Sequence, residues 1–473
     1  MSYVRTIIQA SIPIEERSDL QLPLHLMKSL DIPSDIFITV CFGVSRARAK
    51  VSGVDQDSYV TMCPSLVRAL HIPTGTKFLM RYDPQQQTLY FGPYVGILLT
   101  SYQQDHKQEP FGSLSSFINE VVDTFKQKGG FACIFSIDDV DWENKTVSAF
   151  VRQKNTWKKT TLPLPHSIYN RLSSRQREQS EKVVDFVERC KFLKIPFFNE
   201  RFLNKWQVHK ALRNDVAVST YLPKTMLFGP NGELSTMLQT HRIVYAKPAN
   251  GSLGRGIFRL IKANGEYGVR FVSKDKVISL KQKSLYSLQK FLRKRSKGKS
   301  YVLQQGLHLI GIDSNPTDFR VLVQKNNRGI WATTSIVART GQNSIVSNVA
   351  RGGSIMSAKQ ALRTCGPWKR NKKPSIRKLK RVALLIAERL EYALQGEFAE
   401  FGIDLGIDTN GRVWLLEVNS KPSKSITSLR LRENETAPRE ARPSVRHLVS
   451  YTAFLNGFTQ PIYQTTPQKK KNR

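Results

Sequence analysis

At 473 residues, 40% of them hydrophobic, the chain is too long for one core and apolar enough to fold, and its length predicts about three domains. With 73 Lys and Arg against 37 Asp and Glu, the net charge of +36 predicts polyanionic surroundings; an anionic surface or acidic partner proteins fit better than sequence-specific nucleic acid, because no zinc finger or aromatic-interleaved RNA motif is present. No apolar run approaches the ~18 residues of a membrane span, MSYVRTIIQASIPIEERSDL lacks a secretory pattern, and five scattered cysteines argue against a disulfide framework or zinc site, so a soluble, cytoplasmic chain is expected.

Segment 1–92 repeats itself. Leu26 to Pro33 (LMKSLDIP) matches Leu66 to Pro73 (LVRALHIP) forty residues further on. Each copy predicts a short helix closed by Pro, then strands at Ile36 to Gly43, Lys77 to Tyr82 and Thr88 to Phe91. Two copies are too few for a solenoid, so a β-rich domain with pseudo-symmetry is predicted, and His25 and His71 read as structural or solvated. Segment 93–198 changes texture. A buried strand from Val95, an amphipathic helix from Leu114 to Lys128 and a strand from Phe131 to Ile137 predict a small α/β domain with a parallel sheet. Thr161 to Pro165 reads as a linker, and Arg175 to Cys190 as a second helix.

Segment 199–460 carries the chemistry. A helix presents Lys205 and leads to a strand. Lys247 ends another strand, and Gly251, Ser252, Gly254 and Gly256 follow it in a loop whose backbone N–H groups can cradle phosphate. The loop joins two strands, unlike a Walker or dinucleotide-binding loop, which opens a helix; a plain Gly-rich hairpin is the alternative. Tyr301 to Leu307 reads as a strand after a very basic helix, Leu285 to Lys297. Two more strands follow, and on the first Asp318 and Arg320 share a face, where they can form a simple salt bridge. Asn348 and Arg351 lie in a Gly-ending loop, and the helix Ser375 to Gln395 stops at Gly396.

That helix feeds AEFGIDLGIDTNGRVWLLEVNSKP, a hairpin with its turn at Asp408 to Gly411. Glu417 and Asn419, two residues apart, point to one face, and the hairpin can bring Asp404 beside them. Two carboxylates and an amide oxygen suit Mg²⁺ shared with phosphates; ordinary polar residues on a surface hairpin are the alternative. Segment 461–473 reads as a basic disordered tail.

In order, Lys205, Lys247, Gln304-Gln305, Asp318-Phe-Arg320, Asn348-Val-Ala-Arg-Gly-Gly353, Asp404 and Glu417-Val-Asn419 resemble the ATP-grasp superfamily over roughly 95 to 425, and the ending looks most like its YheC/YheD endospore coat-associated branch. The resemblance implies an ATP-grasp fold, two α+β subdomains clamping ATP, preceded by a small α/β domain and the β-rich repeat domain. It implies that Lys205 and Lys247 contact phosphates or adenine-side groups, that Gly251 to Gly256 cover the phosphates, and that Gln304, Gln305 and Leu307 belong to the adenine hinge. Arg320 would bind the transferred phosphate, and Asp404, Glu417 and Asn419 would hold Mg²⁺. Asn348 with Gly352 and Gly353 also resembles the ribosomal-protein glutamate ligase branch. Arg339, Asn348 and Arg351 are candidates to meet an acidic substrate, since guanidinium forks pair with carboxylates. Implied activities are a carboxylate–amine ligase working through an acylphosphate, with unknown carboxylate and amine substrates, or a scaffold of the spore coat that binds ATP without turnover.

Overall fold

The computed structural model describes residues 3–10, 18–55, 59–103, 109–251, 254–263, 265–273, 276–313, 315–341, 354–369, 373–424 and 440–459. Ser252, Asn348, Arg351, Gly352, Gly353 and the basic tail lie outside the described residues.

The strands between Tyr3–Ala10 and Thr88–Gly92 close into a seven-stranded barrel. The repeat is visible in it. Helices Leu24–Leu30 and Pro64–Leu70 end in left-handed residues, Asp31 (φ 55) and His71 (φ 48). Buried Ile32 and Ile72 then turn back, their N–H groups donating to the carbonyls of Met27 (3.0 Å) and Val67 (3.4 Å). Burying that isoleucine beneath the last helical turn seals the helix end, which is why Ile-Pro recurs in both copies.

The barrel rests on a second sheet, whose parallel centre comes from Tyr94–Leu98, Phe131–Phe135, Ser167–Asn170 and Phe197–Phe198. Phe42 of the barrel stacks on Tyr94 with ring centroids 4.7 Å apart. The opposite face is covered by helix Ser115–Lys128, which buries Phe117, Ile118, Val121, Val122 and Phe125, and by the last described helix, Pro443–Leu455. Two expectations need correcting here. Thr161–Pro163 is no linker but the end of strand Thr156–Pro163, paired along its length with Thr146–Gln153. The helix expected from Arg175 to Cys190 is two helices, Arg175–Glu178 and Glu181–Phe192, because Ser180 takes an extended backbone (ψ 148) ahead of the second.

The third sheet, six-stranded and antiparallel, orders Thr225–Leu227, Tyr301–Gln305, Ile243–Pro248, Phe258–Ala263, Glu266–Ser273 and Lys276–Gln282. Gly306 leaves it where a Cβ would lie 2.5 Å from Ile243, so only glycine permits that approach. The fourth sheet is built on Asn315–Lys325, Trp331–Thr340, Glu400–Ile407 and Val413–Asn419. Helix Ile376–Leu394, capped by Ser375, packs its buried face on it. The helix stops one residue earlier than expected, with Gln395 rather than Gly396 in the left-handed cap (φ 48).

Candidate active site

The third and fourth sheets face each other across a cleft of about 2030 Å³, which also reaches the second sheet at Arg171 to Gln176. It exceeds the ~300–1,000 Å³ typical of one small-molecule site.

One wall is the third sheet. Lys205 opens helix Lys205–Leu212, fixed by a capping box between Asn204 and Gln207. From there its Nζ donates to the Gly251 carbonyl at 2.7 Å and to Glu417 Oε1 at 3.0 Å. Lys247, near the end of strand Ile243–Pro248, donates to Gln304 Oε1 at 2.6 Å. Burial, helped by the Lys205 charge and opposed by Glu417, lowers Lys247 to about 8. The loop after Lys247 does join two antiparallel strands, and Gly254 (φ +67) and Gly256 (φ +71) supply left-handed turns that side chains resist. Gln304 also donates to Thr225 Oγ1 at 3.2 Å, Gln305 Oε1 accepts the Lys224 N–H at 3.2 Å, and Leu307 lines the cleft beside them.

The other wall is the hairpin. Asp404 stands opposite Glu417, and Gly402 opposite Asn419. The register shifts between Asp404 and Leu405, where Leu405 pairs with Leu415, so Leu416 is an extra residue. This bulge has a purpose. Val413 and Leu415 lie in the core on one side of it, and Val418 on the other, while Leu416, Glu417 and Asn419 line the cleft. Strict alternation would put Leu415 on the face of Glu417.

Asp404 is held by two arginines. Arg320 Nε and Nη2 (2.8 Å) donate to its two oxygens, and Arg339 Nη2 lies 2.8 Å away. Arg339 also forks onto Asp318 at 2.7 and 2.9 Å. Asp318 and Arg320 therefore do not form the simple exposed pair expected of them: Asp318 is buried, and each joins the residue directly opposite it on a neighbouring strand, Arg339 and Asp404. Burial opposes the Asp404 charge, but Arg320 and Arg339 outweigh it and hold the carboxyl below its usual range; the two acids in turn raise Arg339.

Among the described residues, no group of three or more His, Cys, Asp or Glu gathers as a metal cluster. Asp404, Glu417 and Asn419, the residues expected to hold Mg²⁺, supply two carboxylates and one amide, which suit that ion only when phosphate oxygens complete the shell. The structure thus brings Lys205, Lys247, Gly251, Gly254, Gln304, Gln305, Leu307, Arg320, Asp404, Glu417 and Asn419 to one cleft. Gly256 stands just behind, its carbonyl accepting the Tyr301 hydroxyl at 3.1 Å.

Residues 194–455 match the YheC/D-like ATP-grasp family. The chain belongs to that family. It is 33% identical over 350 residues to the endospore coat-associated protein YheD of Bacillus subtilis (strain 168), covering 72% of this chain and 75% of that protein. With the endospore coat-associated protein YheC of the same organism it shares 26% identity over 291 residues, 59% of this chain and 76% of that one. Among solved structures, it is similar to the D-alanine–D-alanine ligase from Coxiella burnetii at 10% identity, over 77% of this chain and 95% of that one, with a TM-score of 0.43. The ATP-grasp fold is what the two facing sheets form, and ATP binding is the property the fold implies. Among the described residues, no helix is long and apolar enough to cross a membrane.

Missing from the sequence-based set were Arg171, Arg175, Glu400, Lys421 and Lys424, which gather where the cleft meets the second sheet. The only advance signal was the pair of lysines just after Asn419.

Proposed function

We propose that the chain is an ATP-dependent carboxylate–amine ligase, with 199–460 as its ATP-grasp unit and 1–92 and 93–198 as two further domains. The observation that carries this is the convergence of Lys205, Lys247, Arg320 and Arg339 with Asp404, Glu417 and Asn419 on facing walls of one cleft. In this reading a substrate carboxylate attacks the γ-phosphorus of ATP and ADP leaves; an amine then attacks the acylphosphate carbon and phosphate leaves. Such transfer depends on positioning and on offsetting charge. Lys205 and Lys247 would hold phosphates under the Gly251 to Gly256 loop, with Ser252 in it, and Gln304 to Leu307 would meet adenine. Arg320 would take the transferred phosphate, with Asn348 and Arg351 beside the substrate. Asp404, Glu417 and Asn419 would hold Mg²⁺, which supplies charge neutralisation on the phosphates. The test is ADP release with Mg²⁺-ATP and pooled carboxylates and amines: release that needs both, with a new amide mass, is expected.

A second reading has its own observation. Asp404 and Glu417 are each already held by cations, as in a cleft that binds nucleotide without transferring phosphate. Tight Mg²⁺-ATP binding with no turnover across a broad substrate panel would establish this scaffold reading and end the ligase one.

Lys247 gives the nucleotide reading a pH signature. With its ammonium lowered to about 8, it is only partly charged there. Phosphates favour the charged form, so ATP binding should take up protons near that pH and weaken as pH rises through it. Calorimetry in buffers of different ionisation heat should show the uptake, and Lys247→Met should remove it. Uptake unchanged in the variant would rule out Lys247 as a phosphate contact.

By likeness to YheC and YheD we extend endospore coat association to this chain. Its net charge of +36 supports attachment to a polyanionic surface or acidic coat proteins. Such attachment should fade steeply with salt, because exposed charges are screened over about 10 Å at 0.1 M; retention on isolated coats in high salt would argue for apolar docking instead.

A further inference from the structure

Beyond Asn419 the cleft continues into a compartment walled by the turn at Arg171 to Arg175 and by Lys421 to Lys424. Five cations line it: Arg171, Arg175, Lys421, Lys424 and Arg442, the last paired with Glu120. Among the described residues the other four share ion pairs with only two carboxylates, and Glu417 is close enough to act on Arg175. Lys421 pairs with Glu178, while Lys424 and Arg171 (3.6 Å) both lean on Glu400. Arg175 has no carboxylate ion pair there; it donates to the Leu203 carbonyl at 2.9 Å and lies over the Phe202 ring. The Arg171 side chain is only 9% exposed, yet its Nε has no hydrogen-bond partner among the described residues.

The cations are close enough to act on one another. Burial chiefly lowers Lys421, to about 8, with Glu178 opposing and Arg171 and Arg175 adding to the fall. Buried cations that outnumber their carboxylates, with a guanidinium N–H unmade, are an incomplete arrangement that an anion would complete.

Position narrows the anion. Glu400 and Asp404 sit four residues apart on one face of strand Glu400–Ile407, roughly 13 Å at strand rise. Lys424 and Arg171 gather at Glu400 and Lys421 at Glu178, whereas Arg320 and Arg339 gather at Asp404. A single amino acid does not bridge that length; an extended peptide does so in about four residues.

We propose that this compartment binds side-chain carboxylates of an acidic peptide substrate, whose reacting carboxylate lies toward Arg320 and Arg339. Only the placement of the reacting carboxylate rests on the ligase reading. The probe is fluorescently labelled tetraglutamate against labelled tetraglutamine, titrated by anisotropy into the full chain saturated with Mg²⁺-ATP at 0.15 M salt. Tetraglutamate should bind about tenfold tighter or more, as expected for charge-assisted contacts. Arg171→Gln and, separately, Arg175→Gln should each cut that preference several-fold, with Mg²⁺-ATP affinity as the check on folding. Arg175→Gln serves alone if Arg171→Gln does not fold. Equal binding of the two peptides overturns the proposal. So does a preference that survives the substitutions, since it would then come from the general basic surface. Peptide preference without ADP release when pooled amines are also supplied would remove the ligase reading and leave the compartment; ADP release from neutral substrates, without that preference, would do the reverse.

Discussion

Glu400→Ala should cost about 3–5 kcal/mol of stability, the range for removing one partner from a buried ionic group. Glu400 is 1% exposed and takes up every element around it. Tyr169 Oη donates to it at 2.7 Å and Asn199 Nδ2 at 3.1 Å; Gln324 Nε2 of the neighbouring strand donates at 3.2 Å. Lys424 and Arg171 complete the set. Burial opposes its charge, but Lys424 and Arg171 win, so the carboxyl is held below its ordinary range and is ionised at neutral pH. Its removal leaves Lys424 and Arg171 without that carboxylate and the Tyr169 hydroxyl and Asn199 amide without that acceptor, while Gln324 Nε2 keeps the Ser444 carbonyl at 3.0 Å. Urea titration followed by tryptophan fluorescence measures the loss. Glu400→Gln should fall in between, and Glu400→Met combined with Lys424→Met should regain part of it, because the pair is removed as a unit. The sign with pH is fixed: a lowered folded-state pKa gives stability that is present above the usual carboxylate range and lost in acid. The gap between wild type and Glu400→Ala should therefore narrow as pH falls. A loss below about 1 kcal/mol at pH 7 would show that the network does not hold the second and fourth sheets together.

Glu417→Gln should behave in the opposite way. The Glu417 side chain is 31% exposed and its described ion pair is with Lys205, so stability should change by less than about 1 kcal/mol. Function should change greatly. If Glu417 helps to hold the cation that offsets phosphate charge, its loss should lower substrate-dependent ADP release by ~10²–10³. It should also weaken Mg²⁺-ATP binding in calorimetry, which remains readable if the protein does not turn over. A variant that keeps both ADP release and Mg²⁺-ATP affinity would remove Glu417 from the site. Together the two variants separate folding from chemistry on one hairpin: Glu400 and Asp404 share a strand face, but only one end of it meets the nucleotide wall.

Local pattern made much of this legible. The Asp408 to Gly411 turn, the Gly loop between strands and the repeated Leu-Ile-Pro helix ends each depend on residues near in sequence, whose backbone demands are visible in the residue types. The ionic pairings were not legible. Asp404 meets Arg320 across 84 positions and Glu400 meets Arg171 across more than two hundred, and nothing in the spacing of a carboxylate encodes which distant cation will face it. Asp318 and Arg320 show the danger, since two charges on one strand face suggested each other and chose other partners. The bulge was hidden for another reason: Trp414-Leu415-Leu416 is uniformly apolar, and an apolar run carries no phase from which to detect an extra residue.

Leu416 makes the hairpin a strand with two parities. Before it, odd-numbered residues face the core; after it, even-numbered ones do. Point substitutions on the turn side do not change that parity, but a ladder that ran through Leu416 with no bulge would. Val418 would then be offered to the cleft and Glu417 and Asn419 to the interior, without any change in sequence. Removing Leu416 outright would instead set Leu415, Glu417, Val418 and Asn419 in plain alternation on the faces they have now, so the strand should tolerate that deletion while a regular ladder that keeps Leu416 would turn the polar residues inward.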